Sequence, residues 1–137
     1  MSSLSTLTKA NLLLLGLLVL HTLDHAAVQD ARVLPGSSSL VGAIGFALTA
    51  GSTWLAIQRS PLAPEVSAVV GALTSVGIIV VHLVPSWWTW VSDPYWDFNA
   101  GFLSWLSLIA LLASSMYLTA LGLRYQRYRH VKPYYRH

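Results

Sequence analysis

Residues 11–30 read NLLLLGLLVLHTLDHAAVQD. The first half is apolar enough for the interior of a bilayer, and then His21, Asp24 and His25 arrive within one helical turn. How this stretch is read decides the fold. Only 9% of the chain's residues are charged and 55% are hydrophobic, whereas soluble domains carry roughly 25% charged residues. A core cannot absorb that surplus, because a chain of 137 residues leaves much of its surface exposed. The surface itself must be apolar, so residues 11–30 open a membrane span and the chain is an integral membrane protein. Its length suits a single transmembrane domain over residues 1–137.

Stretches of about 20 apolar residues mark membrane-crossing helices. Four fit: Lys9–Val28, Leu40–Ile57, Val66–Val84 and Ala100–Leu123. The breaks read PGSSS, RSPLAPE and PSWWTWVSDPYWDFN. Pro35, Pro61, Pro64, Pro85 and Pro94 all fall in them, where no helix needs the missing N–H. The first run ends in DHAAVQD, and His25 before Ala27 suits signal cleavage poorly, so it is expected to stay as a helix. The expected fold is all-α, a four-helix transmembrane bundle.

Lysine and arginine counts orient it. Lys9, Arg59 and the tail residues Arg124, Arg127, Arg129, Lys132 and Arg136 lie on one side, against Arg32 alone on the other. Both termini are therefore expected in the cytoplasm, with the plasma membrane as the host bilayer. Residues 124–137, RYQRYRHVKPYYRH, form a basic-aromatic tail suited to anionic lipid headgroups. Five of the eight basic residues sit in that tail, which reads as membrane flanking and not as a nucleic-acid site. On the far side the third connection holds Trp87, Trp88, Trp90, Tyr95, Trp96 and Phe98. It reads as an aromatic outer loop or interfacial helix, or, more sharply, as a lid over a site beneath it.

Small residues let helices approach closely in lipid. Ala43, Ala47 and Gly51 repeat in the second span, and Ser104, Ser107, Leu111 and Ser114 line the fourth. In the third, Ser67, Gly71, Ser75, Ile78 and His82 keep one face. His82 is thus expected to point into the bundle. His21, Asp24 and His25, spaced i, i+3, i+4, share one face of the first helix, which should also look inward because charge in contact with lipid is costly. Both helices run outward, so His25 and His82 reach similar depths.

Three imidazoles and a carboxylate converging near the outer mouth suit a metal site. A pair at i, i+4 offers two ligands from one face, a facing helix supplies the third, and Asp24 serves as a fourth ligand, a supporting acceptor or an acid–base group. With no cysteine and with methionine only at Met1 and Met116, nitrogen and oxygen donors favour zinc, iron or copper(II). A single haem with His25 or His21 and His82 as axial ligands is the variant. The expected function is electron transfer or chemistry on a lipid-soluble substrate. Two alternatives stand beside it. One is an accessory or assembly subunit of a membrane complex, or a homo-oligomer, in which a structural polar network pairs Asp24 with His82 or Arg32. The other is a proton-coupled transporter using Asp24. Four short spans with an acid in the first are similar in layout to the small multidrug transporters, although this chain has a stronger charge bias and its acid lies nearer one end. Asp93 and Asp97 read as solvated loop residues or helpers of the site, and Asp97 and Asn99 as caps of the fourth helix. His130 and His137 lie on the opposite side and are set apart from the site.

Overall fold

A computed structural model describes residues 5–25, 37–85, 94–96 and 100–131. The described residues form four helices: α1 Thr6–Asp24, α2 Ser37–Ile57, α3 Ala63–Ile78, continued by a π-helical turn Ile79–Leu83, and α4 Phe102–Val131. There is no strand among them. All four are long and apolar enough to cross a membrane, over Thr6–Asp24, Leu40–Ile57, Ala63–Leu83 and Phe102–Tyr128. Several expectations lie outside the described residues. These are Arg32, Trp87, Trp88, Trp90, Asp93, Asp97, Phe98, Asn99 and the tail beyond Val131 with His137, together with the side chains of Arg129 and His130.

Local chemistry sets the ends. Ser5 caps α1, its hydroxyl accepting from the Thr8 backbone N–H at 3.1 Å. α2 closes with Ser60 N–H on the Leu55 carbonyl (2.9 Å) and Arg59 N–H on the Ala56 carbonyl (3.3 Å), the double bond of a Schellman motif. That turn puts Arg59 at φ 54°, a conformation that glycine adopts more easily. Pro64, expected in the connection, lies in the first turn of α3, where its missing N–H costs nothing. α4 runs on past Leu123 to Val131, because nothing in LRYQRYRH breaks a helix. The tail therefore begins as helix.

α3 and α4 form the tightest seam. A methyl group at Gly71 would sit 2.6 Å from the Ser115 carbonyl oxygen and 2.8 Å from Thr119 N, and one at Gly122 would sit 2.6 Å from the Pro64 carbonyl oxygen. The Ser75 and Ser115 hydroxyls bond across the same seam at 2.7 Å. Ser67, Gly71, Ser75, Ile78 and His82 all face the interior, as their spacing implied, and so do Ser104, Leu111 and Ser114.

α2 departs from expectation. Ala43, Ala47 and Gly51 face outward, and its buried residues are Thr49, Ser52, Thr53 and Ala56. The reason is a polar knot between α1, α2 and α3. Asn11, fully buried, donates to the Leu7 carbonyl and to Ser67 Oγ, both at 2.9 Å, and accepts from Ser52 Oγ at 2.7 Å. Thr8 Oγ1 also donates to the Ala56 carbonyl at 3.0 Å. Hydrogen bonds between helices in lipid contribute about 0.6–1.7 kcal/mol each, enough to turn the hydroxyl face of α2 inward and its small residues out.

Candidate metal centre

Two helix ends build the site. At the end of α1 one face carries His21, Asp24 and His25, and the His25 backbone N–H reaches the His21 and Thr22 carbonyls. At the end of α3 the ladder widens into the π turn IVVHL, closed by Val84 N–H on the Ile79 carbonyl at 3.0 Å. Such turns recur at functional sites because they re-aim one side chain without ending the helix. Pro85 ends it: the residue before proline is driven out of helical geometry, and Val84 is extended at ψ 134°.

The helix end leaves carbonyls without partners, and the segment 94–96 takes them up. Tyr95 N–H donates to the His82 carbonyl at 3.1 Å, and Trp96 Nε1 donates to the Leu83 carbonyl at 3.1 Å. This double anchor lays the Tyr95 ring, only 2% exposed, against all three imidazoles. Ring centroids lie 5.0 Å from His82, 6.3 Å from His25 and 6.4 Å from His21. Trp105 of α4 packs edge-on behind it at 5.3 Å.

The imidazoles meet through their Nε2 atoms. His21 Nε2 is 3.3 Å from His82 Nε2 and 3.1 Å from His25 Nε2. All three residues present ligand atoms within 4.8 Å of one another. His21 and His82 are buried and His25 is half-buried. Hydrogen bonding alone explains this poorly. A neutral imidazole nitrogen carries either one proton or one lone pair, yet His21 Nε2 faces two partners. His21 Nδ1 is buried with no hydrogen bond at all.

Asp24 does not join this set. Its Oδ1 accepts from Ser104 Oγ of α4 at 3.0 Å, and its Oδ2 is buried without a hydrogen bond. The carboxylate therefore ties α1 to α4 beside the histidines. The sequence alone puts Tyr95 in a connection read as an aromatic belt or as a lid over a site, and singles out neither Trp105 nor Asn11. The signals present are Pro94 before Tyr95 and an asparagine within an apolar run, and neither is specific. No protein family, curated protein or solved structure matches this chain; the functional reading therefore rests on the geometry.

Proposed function

We propose that the chain is a small integral membrane metalloprotein in which His21, His25 and His82 hold one transition-metal ion. The observation that carries this is the pair of Nε2 separations, 3.1 and 3.3 Å, sharing His21. Ligands bound tetrahedrally at 2.0–2.1 Å lie about 3.3 Å apart. Two of the three pairs thus already stand near the spacing that one ion imposes, the third lies within 4.8 Å, and three nitrogen donors suit zinc, iron or copper(II). The haem variant draws less support. The His25 and His82 rings are 5.1 Å apart and both touch His21, which leaves no slot for a porphyrin between two axial ligands.

With three protein ligands a fourth position stays open, as in metal sites that do chemistry. A bound ion there supplies Lewis acidity or, if redox-active, an electron. The protein's own groups do the rest. Tyr95, backed by Trp105, covers one side of the cluster, while Asp24, held by Ser104, is the nearby carboxylate that accepts a proton. The part of α2 from Leu40 to Leu48 buries none of its side chains, so α1, α3, α4 and residues 94–96 bound the site, and a lipid-soluble substrate would approach from the bilayer. Both termini lie in the cytoplasm in this reading, from the lysine and arginine bias, with the site toward the outer leaflet of the plasma membrane.

Elemental analysis and an absorption spectrum of the purified protein test it. The expected result is one ion per chain, lost when the three histidines are replaced together. Protein that takes up no zinc, cobalt or copper on reconstitution, while keeping its helicity, refutes it. The assembly reading draws on a separate observation, the outward-facing Ala43, Ala47 and Gly51. Small residues at such spacing accept a helix from a partner or a second copy. If so, Ala47→Leu reduces cross-linked or co-purified partner and leaves metal content intact.

A further inference from the structure

The end of the bundle far from the histidines carries its own cleft. It has a volume of about 340 Å³ and is lined by Thr6 at the start of α1 and by Tyr117, Leu121, Arg124, Tyr125 and Tyr128 of α4. At 1.5 Å per residue, His21 lies about 22 Å along α1 from Thr6. This site is therefore independent of the metal centre and does not rest on that reading.

We infer that the cleft binds one anionic phospholipid, with the phosphate on Arg124 and the first part of an acyl chain along Leu121 and Tyr117. Three features point to an amphiphile. The first is charge. Arg124 is exposed, and its Nη2 makes one long hydrogen bond, 3.5 Å, to the Tyr128 hydroxyl. Its guanidinium carbon stands 5.7 Å from the centre of the same ring. Among the described residues it forms no ion pair with a carboxylate. A guanidinium has five N–H donors, so most of them remain for an incoming oxyanion, which arginine grips through paired hydrogen bonds. Lys9 and Arg127, both exposed nearby in sequence, add positive potential without lining the cleft.

The second feature is shape. Tyr117 and Tyr128 are eleven residues apart on one helix, so the residues that line the cleft span about 16 Å of its axis. A free phosphate would fill only one end of such a groove. The third is the gradient along it. Arg124, Tyr125 and Tyr128 lie at the end of the span, where tyrosine and arginine meet headgroups. Leu121 and Tyr117 lie one and two turns deeper, where hydrocarbon begins. A charged head and an apolar stem match that order.

The test uses the full chain in nanodiscs of phosphatidylcholine, titrated with spin-labelled phosphatidylglycerol and read by the motionally restricted fraction of the label. The expected result is preferential retention of phosphatidylglycerol over phosphatidylcholine carrying the same chains. Arg124→Gln should lower that preference about tenfold, the worth of one charge-assisted contact. Arg127→Gln, one turn along but outside the cleft, should change it less than about twofold, as expected of a charge that acts only at a distance through screening solvent. Native mass spectrometry should find one tightly held lipid per chain. Equal losses from the two arginine variants overturn the inference in favour of diffuse attraction to a basic tail. Displacement of the label by millimolar inorganic phosphate overturns it in favour of a simple anion site. Arg124 is exposed, so its variant folds; unchanged circular dichroism and an unchanged unfolding midpoint confirm that the loss is local.

Discussion

Replacing His21 by glutamine separates a metal centre from a hydrogen-bonded cluster. His21 stands between the other two imidazoles, at 3.1 Å and 3.3 Å through a single nitrogen. A tetrahedral ion with 2.0–2.1 Å bonds needs about 3.3 Å between ligands, so these two pairs move by only a few tenths of an ångström, while His25 and His82, whose ligand atoms lie within 4.8 Å, close by at most about 1.5 Å. Structural zinc sites with four ligands bind with about 10–16 kcal/mol, or roughly 3 kcal/mol per ligand. Removing one ligand should therefore weaken zinc by about two orders of magnitude, at 1.4 kcal/mol for each tenfold. Competition against a chromophoric chelator measures that loss, and cobalt gives a second readout, since its visible bands report four-coordinate geometry and should bleach in the variant. The alternative makes the opposite pattern. If the rings only bond one another, His21→Gln lowers the melting temperature of metal-free protein and leaves a weak metal affinity unchanged. That outcome would falsify the metal centre, as would full zinc stoichiometry in a variant lacking all three histidines.

Other expectations follow from the same geometry. Asp24→Asn should keep three histidine ligands, seen by X-ray absorption, and change metal affinity by less than the roughly 10–100-fold typical of a carboxylate bonded to a ligand, because Asp24 bonds Ser104 and no histidine; a larger loss would show that Asp24 turns to the site when metal binds. Gly71→Ala drives a methyl group to 2.6 Å from the Ser115 carbonyl oxygen, which helix backbone cannot yield cheaply. Overpacking costs about 1–3 kcal/mol, so its midpoint of unfolding in detergent should fall clearly below that of Gly77→Ala, where a methyl group meets open space. Arg59→Gly should raise thermal stability slightly, because a non-glycine residue at φ 54° is strained by about 1 kcal/mol. A fall in stability would mean that the Arg59 side chain contributes more than the turn costs.

The apolar helices were legible in the sequence because lipid demands runs of apolar residues, and the span Leu40–Ile57 has the same limits in both readings. The meeting of His21, His25 and His82 was legible because helical spacing assigns a face, and two helices running in one direction share a depth scale. What a single helix cannot show is which of its faces a neighbour wants. The small residues of α2 suit an inner face until Asn11 is seen to hold Ser52 and Ser67. Periodicity treats one asparagine as a blemish, whereas in a medium without water each of its polar atoms needs a partner. The π turn was invisible for a related reason. Residues 71, 75, 78 and 82 fit α-helical spacing, and a widened turn at the end shifts the aim of His82 without disturbing the pattern before it.

That turn also explains why the cluster forms at a helix end and not at mid-span. A continuous α-helix satisfies its own carbonyls and has none to offer, so no loop can be pinned against it. Pro85 breaks the ladder, the carbonyls of His82 and Leu83 become free, and residues 95 and 96 bind them. The same event therefore aims His82 and brings Tyr95 over the imidazoles. The half of the bundle nearer the termini is held differently. There asparagine, serine and threonine bond across the helices and glycine allows close contact, while the last carbonyls of α2 are taken up by its own turn at Arg59 and Ser60. Buried polar residues are thus divided along the bundle axis. Hydroxyls and one amide fix the helices in one half, and the buried imidazoles of His21 and His82 meet at the other, where α3 ends.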